Sequence, residues 1–194
     1  MMSVYKDRIK LPMFFNADLM KQDIENLSAC HWIEHFVKQN FYGDWSIIPL
    51  RGPRGETHPI RMSYSDPMQK DFSDTDFLKL TSYFPKILSS FKCKINAARL
   101  MKLTSNSSIK EHSDFELSAE QGTLRLHIPV KTNADVLFKL NGSQVILKEG
   151  ECWYLRLSDP HSVDNNGQSD RIHLVIDVEL NVWLEQLLSL DVIK

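Results

Sequence analysis

At 194 residues, with 42% apolar and 25% charged positions, the chain has globular composition and can bury a core without staples, so one domain over 1–194 is expected. Its 23 basic and 25 acidic side chains leave a net charge of −2, which gives no electrostatic reason to expect nucleic acid or an anionic membrane as a partner. Three scattered cysteines, Cys30, Cys93 and Cys152, contain no C-x-x-C pair; they argue against a disulfide framework or a thiolate zinc site and suit a reducing, cytoplasmic setting.

The first apolar run, Leu11 to Phe15, is too short for a signal sequence, and no stretch approaches the ~20 apolar residues of a membrane span. Apolar residues at Ile24, Leu27, Trp32, Ile33 and Phe36 have near-helical spacing and predict a helix over Lys21 to Lys38. Trp45 to Leu50 reads as a strand and leads into a Pro/Gly/Arg loop at 51–61. Ser73 and Asp74 can cap a second helix running through Phe77, Leu80, Phe84 and Leu88, which Pro85 weakens or shortens. The segment 1–93 is therefore expected to be partly helical and to pack on the strand-rich remainder.

From 94 to 180 the texture changes to successive strands: 94–103, 123–130, 136–140, 143–147, 152–157 and 171–180. Asn141-Gly142 is a strong hairpin turn signal between two of them. Asn181 can cap a C-terminal helix over 181–194. Many short strands with tight turns predict a mainly β fold with flanking helices, a jelly roll or cupin-like barrel.

His112-Ser113-Asp114 places two ligand-type side chains on one side of an extended chain, and His161 comes after Pro160 further on. Two histidines and a carboxylate make the facial triad of non-haem Fe(II) sites; the alternative is a solvated or capping Asp and His. In RIHLVIDV, Arg171, His173, Val175 and Asp177 share one face while Ile172, Leu174, Ile176 and Val178 share the other. In the strand from Thr123, Arg125 and His127 alternate with Leu124, Leu126 and Ile128. If the apolar faces pack outward under helices, these arginines point into the barrel, where a buried guanidinium needs a carboxylate that a dicarboxylate ligand would supply. The competing arrangement is a sheet with one wet face. Arg99 is an arginine inside an apolar strand and needs a partner, structural or ligand; Arg51, Arg54 and Arg61 lie in the loop and are either solvated or in contact with substrate.

Taken in order, IKEHSDF, LRLHIPV, LKEGECWYLRLSDPHSV and NNGQSDRIHLVIDV resemble the aspartyl/asparaginyl β-hydroxylase family of 2-oxoglutarate oxygenases over about residues 94–180. The resemblance implies a double-stranded β-helix catalytic core over 94–180. It implies hydroxylation of a C–H of an amino acid, free or within a peptide, with Fe(II), O2 and 2-oxoglutarate as cosubstrate. His112, Asp114 and His161 would bind the metal, and Arg171 would grip the distal carboxylate of 2-oxoglutarate. Arg125 and His127 match an R-x-H pair close to the cosubstrate, with His127 beside the carboxylate that chelates iron. Arg51 and Arg99 would be candidates for the substrate carboxylate. Asp114 stands where membrane-anchored relatives lack a carboxylate ligand, and it argues against halogenation. The chain therefore looks closer to small bacterial members such as the cis-proline hydroxylases. The competing functions are a cupin-like metal protein with non-oxidative activity, which needs no carboxylate clamp, and a non-catalytic jelly-roll binding module.

Overall fold

The computed structural model describes residues 5–27, 31–63 and 69–189. Two antiparallel sheets face each other as a jelly roll. The larger runs in the order β1 (Arg8–Phe14), β11 (Glu151–Leu155), β8 (Thr123–Lys131), β13 (Arg171–Glu179), β6 (Ile95–Leu103), β4 (Trp45–Pro53) and β2 (Ile33–Glu34), with β5 (Phe72–Asp74) also on β4. The smaller runs β10 (Ser143–Val145), β9 (Val136–Leu140), β12 (His161–Asn165), β7 (Ser107–His112) and β3 (Phe41–Tyr42). Asn141 and Gly142 both take positive φ, 52° and 71°, in the turn joining β9 to β10. That is the conformation of a tight hairpin whose twist matches its strands.

The period-2 pattern divides the larger sheet into two faces. Leu124, Leu126 and Ile128 of β8, Leu174 and Ile176 of β13, and Ala98 and Leu100 of β6 join the core under the helices. The other face, with Met101, Leu103 and Val175, packs toward Ile109, Phe138, Leu140 and Val163 of the smaller sheet. The apolar stripes therefore face outward, and Arg171, His173, Asp177, Arg125 and His127 face the barrel interior, all but Arg125 at most 5% exposed. The wet-face alternative does not hold.

The helical segments differ from the sequence expectation. Helix α1 is Ala17–Asn26, capped by Asn16 Oδ1, which accepts from the amides of Asp18 and Leu19 at 3.0 and 3.1 Å. The predicted helix over 21–38 stops there; residues 28–30, with Cys30, lie outside the described residues, and Ile33 and Glu34 instead pair with Ile47 and Ser46 of β4. A ladder to a sheet edge has overridden helical spacing. The second predicted helix is split into β5, α3 (Asp76–Lys79) and α4 (Phe84–Ser89), with α2 (Pro59–Met62) before them. Pro85 occupies the first turn of α4, where a missing N–H costs nothing, so the helix begins there and is shorter than the run from Ser73, as the proline implied. The amides of Tyr83 and Phe84 donate to the buried carboxylate of Asp23, on α1, at 2.7 and 2.8 Å. Helix α5 (Val182–Ser189) is preceded by Asn181, whose Oδ1 accepts from Leu184 N at 3.1 Å. Residues 190–194 of the expected helix lie outside the described residues. Strand β1, at the free edge of the larger sheet, has no counterpart among the strands expected from sequence; it pairs with β11, and Pro12 sits in the register shift between Leu11 and Phe14.

Candidate active site

A cavity of about 970 Å³ opens between the sheets. His112 ends β7 and His161 begins β12; the two are register partners, with ring centroids 4.3 Å apart. Asp114 lies just past β7, its backbone N–H tied to Leu157 O at 2.8 Å. One ligand-type atom from each of these three side chains falls within 4.8 Å of the others. His112 Nδ1 donates to Lys110 O at 2.8 Å and His161 Nδ1 to Asp159 O at 3.0 Å. These backbone bonds fix both tautomers and leave each Nε2 lone pair free for a metal. Burial lowers the His161 pKa to about 4, so the imidazole is neutral and ready to ligate near neutral pH. The donor set, nitrogen, nitrogen and oxygen with open sides, fits a non-haem Fe(II) centre.

Behind Asp114 stands a chain of buried charge. Arg125 Nη1 donates to Asp114 Oδ2 at 2.8 Å, while its Nε and Nη2 donate to the two oxygens of Asp177 at 2.6 and 2.9 Å. Arg99 Nη1 and Nη2 reach Asp177 Oδ2, both at 3.0 Å. Burial alone would raise the Asp177 pKa, but the Arg125 and Arg99 guanidiniums outweigh it and hold the carboxyl well below the usual range. Arg125 therefore does not stand free for a cosubstrate; it is committed to a metal-ligand candidate and to Asp177, because a buried guanidinium takes the nearest carboxylates.

Arg171 is different. It is 2% exposed, and burial alone lowers its pKa to about 9, with no opposing carboxylate among the described residues. Its Nη2 donates to His173 Nδ1 at 2.8 Å, and its Nε has no partner. His127, also buried in the cavity wall, carries an unpartnered Nε2; burial first, then the charges of Arg171 and Arg125, keep it neutral. A second cavity, of about 270 Å³, also touches Arg171 and His173.

Arg99 lines the main cavity and Arg51 does not. Arg51 is spent on the sheet edge, with Nη1 on Asp74 at 2.6 Å, Nε on Ile95 O at 2.9 Å and Nη2 on Phe72 O at 3.1 Å. Arg54 pairs with Asp71 and Arg61 with Glu56. Three wall residues escape the sequence reading. Trp45, 6% exposed, has an unpartnered Nε1 and stacks on His35 at 3.6 Å between centroids. Burial lowers the His35 pKa to about 4. Asn96, 9% exposed, has an unpartnered Oδ1. A polar side chain in an otherwise apolar strand is the available signal for Asn96; for Trp45 and His35 there is none.

Residues 15–180 match the family model for aspartyl/asparaginyl beta-hydroxylases. The chain is 27% identical over 149 residues to an L-proline cis-4-hydroxylase of Rhizobium meliloti (strain 1021), an alignment covering 75% of this chain and 51% of that protein. It thus spans about half the length of that relative. Among solved structures, a prolyl-4-hydroxylase of Pseudomonas putida superposes with a TM-score of 0.53 at 12% identity, covering 92% of this chain and 94% of that one. HygX of Streptomyces hygroscopicus, solved with nickel, 2-oxoglutarate and hygromycin B bound, gives 0.55 at 10% identity, covering 92% and 84%. These two likenesses establish the jelly-roll fold.

Proposed function

Because this chain belongs to the aspartyl/asparaginyl β-hydroxylase family, we propose that its cavity is the active site of an Fe(II)- and 2-oxoglutarate-dependent dioxygenase that hydroxylates a C–H of an amino acid, free or within a peptide. One observation carries the reading beyond the family: a fully buried guanidinium, Arg171, lacks a carboxylate partner among the described residues and shares a cavity with a metal-type triad. A buried cation of this kind is costly until an anion meets it. A non-oxidative cupin-like centre needs no such anion, and a vestigial binding module has no use for a complete ligand set.

His112, Asp114 and His161 would hold the ferrous ion. When bound with 2-oxoglutarate and O2, the metal supplies the oxidising power for C–H hydroxylation, with succinate and CO2 as co-products. Arg171 would pair with the distal carboxylate of the cosubstrate through two parallel hydrogen bonds, fixing its orientation. His127 would meet the inner carboxylate through Nε2. Arg125 would act through Asp114, holding Oδ2 and leaving Oδ1 available to a metal. Arg99 lines the cavity and, like Arg125, is tied to Asp177, through Nη1 and Nη2; it would anchor a substrate carboxylate through the guanidinium N–H groups that Asp177 leaves unused. The wall contributed by residues 1–93, including His35, Trp45 and Ser63, would set substrate choice within one domain. Free thiols at Cys93 and Cys152 are compatible with a cytoplasmic enzyme. No described helix is long and apolar enough to cross a membrane.

The test is succinate release from 2-oxoglutarate with Fe(II) and ascorbate, screened against free amino acids and peptides, starting with L-proline because the Rhizobium relative is named for it. Stimulation by an amino acid or peptide is expected. It should vanish, together with Fe(II) binding, in His112→Ala and His161→Ala. Retention of turnover in both variants would refute the assignment.

A further inference from the structure

Five buried side-chain atoms among the described residues have no hydrogen-bond partner, and four of them, on Trp45, Asn96, His127 and Arg171, belong to residues lining the main cavity. Such atoms are rare in folded proteins because each costs the full desolvation of a polar group. Their concentration in one cavity marks where ligand atoms complete the structure. The cosubstrate reading uses His127 and Arg171 and leaves Trp45 and Asn96 unexplained; of these, Asn96 supplies an acceptor and lies nearest Arg99 along β6.

Asn96 reaches the cavity through a backbone irregularity. On β6, Ala97 pairs with Asp177 and Ile95 with Val178, so Asn96 is an extra residue with no partner on β13. With strict alternation Ile95 would share the inward face of Arg99, and Asn96 would lie outside. The bulge reverses this: Ile95 packs on the outer core, and Asn96 lines the cavity. Bulges re-aim side chains in this way, commonly beside active sites. The position is also at the far end of β13 from the cosubstrate clamp. Arg171 and Asp177 are six residues apart on β13, roughly 20 Å at strand rise, and Asn96 lies beside the Asp177 end. Arg125 bridges Asp177 to Asp114, so Asn96 stands at the Asp114 end of the site, away from Arg171.

We propose that Asn96 is a substrate-specificity residue whose side-chain oxygen accepts an N–H of the amino-acid substrate, beside Arg99, which takes its carboxylate. This rests on the hydroxylase reading above and extends it to substrate orientation. The two groups common to all amino acids are held on β6 of the larger sheet. The N–H comes either from a free ammonium or from a peptide amide.

The test is steady-state kinetics of wild type, Asn96→Leu, Asn96→Ser and Asn96→Asp, with each variant's fold checked by its melting temperature and its 2-oxoglutarate affinity in the presence of Mn(II). The substrates are the free amino acid that stimulates wild type best and a short peptide containing it. Asn96→Leu and Asn96→Ser are expected to raise the substrate KM by roughly 10- to 100-fold, the size of a lost hydrogen bond to a charged group, with 2-oxoglutarate affinity within twofold. Asn96→Asp keeps the acceptor and adds charge; it should lower KM for an ammonium and not for a peptide amide, which separates the two sources. A substrate KM within twofold of wild type in folded Asn96→Leu overturns the proposal while leaving the hydroxylase reading intact. Failure of every amino acid and peptide to stimulate the wild type overturns both.

Discussion

Asp177 provides the most demanding test of the buried charge network. It accepts from Arg99 Nη1 and Nη2 and from Arg125 Nε and Nη2 and has no exposed surface. Asp177→Asn keeps the shape and removes the charge. Two guanidiniums inside the barrel then share a single anion, Asp114, whose side chain is 30% exposed. Removing one partner of a buried ion pair costs roughly 3–5 kcal/mol because the survivor stays desolvated. Against a typical stability of ~5–15 kcal/mol, that is a large share of the fold. With a urea m-value of about 2 kcal/mol/M, the midpoint should fall by roughly 2 M. Adding Arg99→Met removes one stranded cation, so the double variant should recover at least half of the loss, since replacing buried ion pairs by apolar groups is often neutral. Metal affinity should fall in the single variant, because Arg125, released from Asp177, competes for Asp114. The measurements are urea melts monitored by far-UV circular dichroism, and Mn(II) titration calorimetry. A loss under ~1 kcal/mol, typical of an exposed pair, would refute the claim that the network is buried and mutually dependent.

The same geometry sets three further outcomes. Arg171→Met should weaken 2-oxoglutarate binding by ~2–5 kcal/mol, measured by calorimetry with Mn(II), and leave Mn(II) affinity itself little changed; normal cosubstrate affinity would remove the clamp from the proposal. The apo protein should lose stability as pH falls from ~6.5, where an unfolded histidine takes its proton, to about 4, where folded His35 and His161 do. Across that window the unfolded chain binds more protons, so the unfolding free energy falls with pH. Asp177 acts separately: its folded pKa is depressed, so its contribution is complete above the unfolded carboxylate value of ~3.9 and is withdrawn only as pH falls through the lower folded value. Melting curves across pH that stay flat from 7 to 4 would contradict the first part. Gly142→Ala should cost about 1–2 kcal/mol through backbone strain alone, since φ is 71° and nothing lies within 4 Å of the added Cβ; an unchanged melting temperature would refute it.

The strands with clean alternation were legible in the sequence, because burial of one face forces a period of two. The hairpin at Asn141-Gly142 was legible because few residues tolerate positive φ. The strands that carry the two histidines were not. Each of β7, SSIKEH, and β12, HSVDN, has a single apolar residue on its inward face, Ile109 and Val163, flanked by inward polar ones, too little to make a detectable stripe. The metal triad could still be located, since it rests on residue types and order. The fate of the arginines could not: Arg51, Arg99, Arg125 and Arg171 look alike in one dimension, and only cross-strand register decides which meets Asp74, Asp177 or Asp114 and which is left for a ligand. Asn96 was hidden for a related reason, since a single extra residue in β6 reverses which side it faces.

The strand at the free edge of the larger sheet has a bearing on behaviour at high concentration. An unpaired sheet edge offers main-chain donors and acceptors to any other chain that can add a strand, the first step of aggregation. Along β1, Pro12 has no N–H to offer, the register breaks around it, and charged side chains line the run, Arg8 paired with Asp7 and Lys10 with Glu151. The same irregularity that shortens its ladder with β11 leaves a second copy only the short run from Arg8 to Leu11 to extend, so this edge should seed fibres less readily than a long flat one.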